Sequence, residues 1–172
     1  KIIPDDEIRE YLLLFFGSCL EGRNKQQKLH IFTGTGSNGK SILIEFLEEV
    51  FGELACKMPI QFLCSKRGSS GAASPELART RGIRLLSMQE PESDAKFNEG
   101  QLKELTGADK MITRELFKGC IEFVPQYKPI LCCNVVPTIN AGDGGTQRRF
   151  VIVPFESKFV LDPKEPNEFA ID

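Results

Sequence analysis

Apolar residues recur at helical spacing in two stretches of the chain and fall into short blocks elsewhere. Ile8, Tyr11, Leu12, Phe15, Phe16, Cys19 and Leu20 lie three and four residues apart, which predicts an amphipathic helix. Asp5, Asp6 and Glu7 suit its first turn, and Gly22 supplies its end. Packing against the core is its simplest role; a contact with another subunit is the sharper one. Leu43, Phe46, Leu47, Val50 and Phe51 show the same spacing before Gly52. Between these two helices, Lys28–Thr33 reads as a short strand reached through the polar segment 23–27.

Downstream the blocks are shorter. Leu54–Met58 reads as a strand cut by Pro59, and a second apolar group follows at Ile60–Cys64. Residues 65–74 have loop composition, with Lys66 and Arg67 among glycines and serines; a solvated loop is the default and a DNA contact the alternative. Pro75–Arg79 reads as a short helix with proline at its first position. Ile83–Glu90 is an apolar strand ending in an acid. Asn98 and Gln101 form a capping box for a helix that turns Leu102 and Leu105 to the core and closes at Gly107. A strand, a turn at Phe117-Lys118-Gly119 and a returning strand at Ile121–Val124 follow. Pro129–Asn134 and Phe150–Phe155 are further strands, separated by a loop at 140–145, and the tail from Glu156 is polar.

The candidate chemistry centres on Gly34, Thr35, Gly36, Ser37, Asn38, Gly39, Lys40 and Ser41, which fit G-x-x-x-x-G-K-[ST]. The motif stands between a predicted strand and a predicted helix, where a phosphate-binding loop has to stand. Glycines let successive backbone N–H groups turn toward one anion, and the helix N-terminus adds the positive end of its dipole. Lys40 would reach the β- and γ-phosphates of ATP, and Ser41 would give its hydroxyl oxygen to Mg²⁺.

Four later residues would complete such a site. Glu90 would be delivered beside the loop by a buried parallel strand, to hold Mg²⁺ or to orient water; a surface acid at a strand end is the plain alternative. Asn134 could hydrogen-bond the γ-phosphate or its attacking water, or could simply open the turn toward Pro137. Arg148 and Arg149 could be rim charges, or could supply an arginine finger to a neighbouring nucleotide. Lys110, Arg114 and Lys118 interleave with Met111, Ile112, Leu116 and Phe117, an arrangement suited either to a solvated hairpin or to a single-stranded nucleic acid backbone.

Composition narrows the classes. In 172 residues with 41% apolar and 27% charged side chains, one domain with a sizeable core is expected. A net charge of −2 leaves nucleic-acid binding to a local basic patch. The longest apolar run, Tyr11–Phe16, is too short to span a bilayer, so no membrane partner is expected. Six cysteines without a C-x-x-C pair, and His30 as the only histidine, argue against a zinc site and for reduced thiols with a core histidine.

Taken in order, G-x-G-x-N-G-K-S (34–41), the strand ending in Glu-Pro-Glu (90–92), L-K-E-L-T-G-A-D (102–109) leading to Arg114, K-P-I-L-C-C-N (128–134) with Pro137, and the Q-R-R-F strand (147–150) ending Val153-Pro154-Phe155 resemble the superfamily 3 helicase module of the poxvirus-type primase–helicases of large DNA viruses and phages. The resemblance implies an AAA+-type α/β domain with a mainly parallel central sheet flanked by helices. It implies a helix and connection at 1–27, an ATPase core at 28–155 and an extension at 156–172 that leads to a helical part. A homo-oligomeric, hexameric ring on single-stranded DNA is expected, with ATP and Mg²⁺ as cofactors. A primase domain is expected upstream of this fragment, and the host cytoplasm or viral replication site is the expected location. It assigns Lys40 and Ser41 to the P-loop pair, Glu90 to the second motif, Asn134 to γ-phosphate sensing, and Arg149 or Arg148 to the finger. Arg114 and Lys118 are the candidate DNA contacts on the channel hairpin. Gln89 departs from the pattern, standing where many P-loop ATPases have Asp, so Glu90 would serve both metal and water. A small-molecule kinase and a nucleotide-binding scaffold without motor activity are the rival readings.

Overall fold

The computed structural model describes residues 1–65, 73–89, 96–137 and 144–171. Helix α1 (Asp6–Cys19) leads into β1 (Leu29–Thr33), α2 (Lys40–Phe51), β2 (Ala55–Lys57), α3 (Gln61–Cys64) and α4 (Pro75–Ala78). These precede β3 (Leu85–Gln89), α5 (Glu99–Thr106), the pair β4 (Met111–Arg114) and β5 (Cys120–Phe123), and β6 (Lys128–Cys133). Helix α6 (Gly144–Gln147), β7 (Phe150–Pro154), β8 (Lys158–Val160) and β9 (Glu168–Ala170) complete the chain.

The main sheet has the order β2-β3-β6-β1-β7, and every pairing in it is parallel. Parallel strands need helical crossovers that cover both faces, so their sequences are apolar on both sides. Alternate residues accordingly enter two cores. Leu29, Ile31, Leu86, Met88, Leu131 and Cys133 face one, which holds Leu63 of α3 and Leu102 and Leu105 of α5. Phe32, Leu85, Ile130, Cys132 and Val153 face the other, closed by Leu12, Phe15 and Cys19 of α1 and by Ile44, Leu47 and Phe51 of α2. The mainly parallel α/β architecture expected from the resemblance is what the chain forms.

Local chemistry sets the element ends. Asp5 Oδ1 caps α1 by accepting from Ile8 N at 2.9 Å. Asn98 Oδ1 caps α5 by accepting from Gln101 N at 3.1 Å, as its capping-box sequence predicts. The helical stripes differ from the periodicity reading in detail. On α2 the buried apolar residues are Ile44, Leu47 and Phe51, while Ile42, Phe46 and Val50 point outward. On α1 the buried set is Leu12, Phe15 and Cys19, with Tyr11 and Leu20 exposed. In both helices the sheet contacts a stripe narrower than the apolar one. Around Leu54 the chain forms a short 3₁₀ turn (Gly52–Leu54) before β2, so the strand is shorter than Leu54–Met58. Ile60–Cys64 holds the short helix α3. Segment 144–147 is a helical turn ahead of β7, and β8 pairs in parallel with β9 in the polar tail, to which the sequence reading assigns no element.

His30 sits in β1 with 3% of its surface exposed. Its ring stacks on Phe15 at 3.6 Å between centroids, and its Nε2 lies 2.8 Å from the Tyr11 hydroxyl oxygen. Burial, helped by the ammonium groups of Lys128 and Lys28, pulls its pKa down to about 3. The folded state therefore holds His30 neutral at pH values where the unfolded chain protonates it. Stability is full above the unfolded pKa and declines as pH falls below it. Between pH 7 and pH 5 urea unfolding should lose about 2 kcal/mol from this residue alone. The His30→Gln variant, less stable at neutral pH, should lack that part of the slope; an unchanged slope would contradict the assignment.

Candidate nucleotide-binding site

Parallel pairing fixes where the strands deliver their ends. Thr33 of β1 stands beside Cys133 of β6, and Gln89 of β3 stands beside Cys132. The loop 34–39, the start of α2, Gln89 and Asn134 therefore share the carboxyl edge of the sheet. Open α/β sheets bind ligands at this edge. A cavity of about 300 Å³ opens there, lined by residues 36–42 together with Gln89, Cys132, Cys133 and Asn134.

The loop has the backbone of an anion cradle. Gly36, Ser37 and Gly39 have φ of +98°, +48° and +83°, left-handed conformations of the kind that build anion-binding concavities, and Gly36 N donates to Gly34 O at 3.0 Å. Gly39 is also held by space, since a Cβ would meet Ile2 Cγ1 at 2.9 Å. Helix α2 begins at Lys40 and has no acidic residue in its first turn, so nothing nearby on the helix offsets its positive end.

Lys40 is buried, with 6% of its surface exposed. Its Nζ donates to Gly34 O at 2.7 Å, Asn38 Oδ1 at 3.0 Å and Asn134 Oδ1 at 3.5 Å. All three acceptors are neutral. Burial holds the ammonium below its usual pKa. A cation withdrawn from water onto neutral oxygens suits an incoming anion, and its position fits the phosphates of a nucleotide. Ser41 is exposed and lines the cavity, where its hydroxyl could reach a metal held by those phosphates. Cys132 and Cys133 line the inner wall, and burial raises both thiol pKa values, Cys132 to about 12, so these sulfurs are neutral.

The sequence-predicted residues divide into two groups. Lys40, Ser41 and Asn134 meet at the cavity, and the Thr33 hydroxyl further anchors Asn134 by donating to its carbonyl at 3.2 Å. Glu90 lies outside the described residues, as do Lys66, Arg67 and the loop at 140–143; its neighbour Gln89 reaches the cavity wall. Asn38, included with the loop as a phosphate ligand, has its side chain buried and turned to Phe155 O at 3.3 Å. Periodicity offered no signal for that contact, which joins residues far apart in sequence. Arg148 and Arg149 sit at the opposite edge of the sheet, ahead of β7. Five strand residues at about 3.3 Å each separate them from the P-loop edge. Arg148 is exposed and donates to Gln27 Oε1 at 3.0 Å; Arg149 is half-buried and donates to Thr106 Oγ1 at 2.7 Å.

The β4–β5 hairpin forms as expected, in antiparallel register from Met111↔Phe123 to Arg114↔Cys120. Phe117 at its tip has φ of +59° and is fully exposed. Lys118 pairs with Glu115, and Lys110 with Glu122 at 3.6 Å, so two of the hairpin cations have acids of the same hairpin beside them.

The all-parallel sheet with this loop at its carboxyl edge defines a P-loop domain of the α/β class. No protein-family model matches the chain. It is 46% identical over 93% of its length to a protein of Acanthamoeba polyphaga mimivirus, and 37% identical over 93% to one of Frog virus 3, each named a putative helicase. It is 24% identical over 98% to a protein of African swine fever virus named a putative primase. The chain spans 17% of the first two relatives and 18% of the third. Among solved structures, the apo C-terminal region of NrS-1 superposes on 84% of the chain with a TM-score of 0.60 and 17% identity, covering 33% of that region. The JCV helicase superposes on 90% with a TM-score of 0.55 and 17% identity, covering 42% of its chain; both likenesses concern the fold. The resemblance read from its motifs is borne out: over nearly its whole length the chain is similar to proteins of large DNA viruses named putative helicase or putative primase. Among the described residues no helix is long and apolar enough to cross a membrane.

Gly34 tests the tightness of the loop. A Cβ there would collide with Asn38 Nδ2 and lie 2.5 Å from Phe155 O, against atoms that cannot move independently. Gly34→Ala should cost about 1–3 kcal/mol by chemical unfolding. Wild-type stability in this variant would contradict the geometry.

Proposed function

We propose that this chain is the ATP-dependent motor domain of a viral replicative DNA helicase, binding MgATP at the P-loop and moving along single-stranded DNA as a homo-oligomeric, hexameric ring. The observation that supports it most is Lys40, buried at the carboxyl edge of the sheet on neutral oxygens, with Asn134 within reach of the same ammonium.

In this reading ATP supplies the transferable phosphoryl group and Mg²⁺ neutralises its developing charge. Loop N–H groups and Lys40 hold the β- and γ-phosphates. Ser41 and Glu90 hold the metal, Glu90 also orients the attacking water, and Asn134 senses the γ-phosphate. Arg148 and Arg149 stand too far from their own P-loop to act on it, which suits a finger offered to the adjacent subunit. Arg148 is the better candidate because it is exposed, whereas Arg149 is anchored to α5 through Thr106. On the hairpin, Arg114 and Lys118 contact the DNA backbone, and Phe117 adds an aromatic face on which a base can stack. The division into residues 1–27, the core 28–155 and the extension 156–172 follows the same reading, as do an upstream primase domain and action in the cytoplasm or at the viral replication site.

Phosphate release by the assembled protein should rise on adding single-stranded DNA and vanish in Lys40→Ala. Hydrolysis indifferent to DNA would instead favour a kinase or another ATPase, and an inert ring a scaffold. Arg148→Ala should slow hydrolysis by about a thousandfold or more, within the range of a finger acting in trans. Mixing it with Lys40→Ala subunits, whose fingers are intact, should restore part of the rate. Failure of mixing to restore any activity would exclude the trans arrangement. Phe117→Ala should weaken single-stranded DNA binding about tenfold, read by fluorescence anisotropy. Unchanged affinity would remove the stacking role.

A further inference from the structure

The segment that follows β7 is fastened directly to the P-loop. Phe155 N donates to Thr33 O at 2.7 Å, and Phe159 N donates to Ser37 O at 2.6 Å. Between them, Asn38 Nδ2 donates to Phe155 O at 3.3 Å. Phe159 belongs to β8, which pairs with β9 outside the main sheet. The loop that would enclose phosphates thus shares backbone hydrogen bonds with a unit beyond the sheet.

Asn38 stands where the two meet. It is 3% exposed, and both ends of its amide are engaged, Oδ1 by the Lys40 ammonium and Nδ2 by the Phe155 carbonyl. One buried side chain therefore joins the phosphate-seeking cation to the strap at 155–160. The absence of a side chain at Gly34 is what allows the amide and the Phe155 carbonyl to approach so closely. A side chain engaged in this way does not face a phosphate, so its place in the P-loop motif calls for another explanation.

We propose that Asn38 is a positioning residue that transmits occupancy of the phosphate site by a nucleoside triphosphate to the strap and to the β8–β9 unit. The inference rests on the nucleotide-binding reading. Phosphate oxygens outcompete neutral oxygens for Lys40 Nζ, because charge-assisted hydrogen bonds are the stronger. The Asn38 Oδ1 then loses its ammonium donor and is left as a buried acceptor in need of a partner. The amide must shift to find one, and its hydrogen bond to Phe155 O shifts with it. The neighbouring bond from Phe159 N to Ser37 O follows, because Ser37 is the adjacent residue in a tight left-handed turn.

Hydrogen exchange of the Phe159 amide and its flanking peptide, with and without a saturating magnesium complex of a non-hydrolysable ATP analogue, reads this coupling. In the wild type the analogue should change exchange at Phe159 by about tenfold or more. In Asn38→Ala the change should fall to about twofold or less. Asn38→Asp keeps an acceptor for Lys40 but lacks the donor to Phe155, so it should also lose the strap response; it serves as the second variant where Asn38→Ala does not fold. Anisotropy of a fluorescent ATP analogue on the same samples separates the possible failures. Nucleotide binding in the wild type without a change at Phe159 would overturn the coupling and leave the nucleotide reading standing. A response that persists undiminished in the folded variants would overturn the role of Asn38. No nucleotide binding by the wild type would overturn both.

Discussion

The structure turns on one buried ammonium. Lys40 is withdrawn from water onto three neutral oxygens, and burial already disfavours its charge. A position of this kind is costly in a resting protein unless an anion offsets it when the protein works. Three separate stretches of chain must converge to hold it, namely the loop after β1, the first turn of α2 and the residue after β6. The parallel sheet makes that convergence rigid, because the register of β1, β6 and β3 brings Thr33, Cys133 and Gln89 to the same edge. The core that stabilises the fold therefore also fixes the site.

The same sheet separates the two ends of the proposed reaction. The proposed phosphate-binding groups occupy its carboxyl edge and the arginine pair occupies the other, a full strand length away. A single copy cannot close that distance, so a chemistry needing both groups needs more than one copy. Between the edges, α2 carries Ile42, Phe46 and Val50 outward along one stripe directly after the P-loop.

Much of this was legible in the sequence because its physics is local. The glycine-rich motif requires left-handed backbone at fixed positions, and Gly36 and Gly39 adopt it. Asp5 and Asn98 cap helices through their own side chains, which a short window of sequence reveals. The hairpin declared itself through a turn between apolar runs. Less was legible where the deciding contact is distant in sequence. Ile42, Phe46 and Val50 resemble core residues until the sheet selects the face holding Ile44, Leu47 and Phe51. The tail from Glu156 is polar enough to read as unstructured, yet β8 and β9 form through backbone hydrogen bonds that composition does not encode. Asn38 fitted the phosphate motif by position, while its side chain answers to Phe155. The separate engagement of Arg148 with Gln27 and Arg149 with Thr106 likewise depends on residues more than forty positions away.

The central claim is that the carboxyl edge of the sheet recognises the phosphate chain of a nucleotide through Lys40 and the loop N–H groups. Isothermal titration of the wild-type chain with ATP and then with AMP, both in the presence of Mg²⁺, tests it most directly. ATP should bind and AMP should bind at least about a hundredfold more weakly, because the β- and γ-phosphates make the contacts that count. Equal affinity for the two nucleotides, or none for either, would contradict the account.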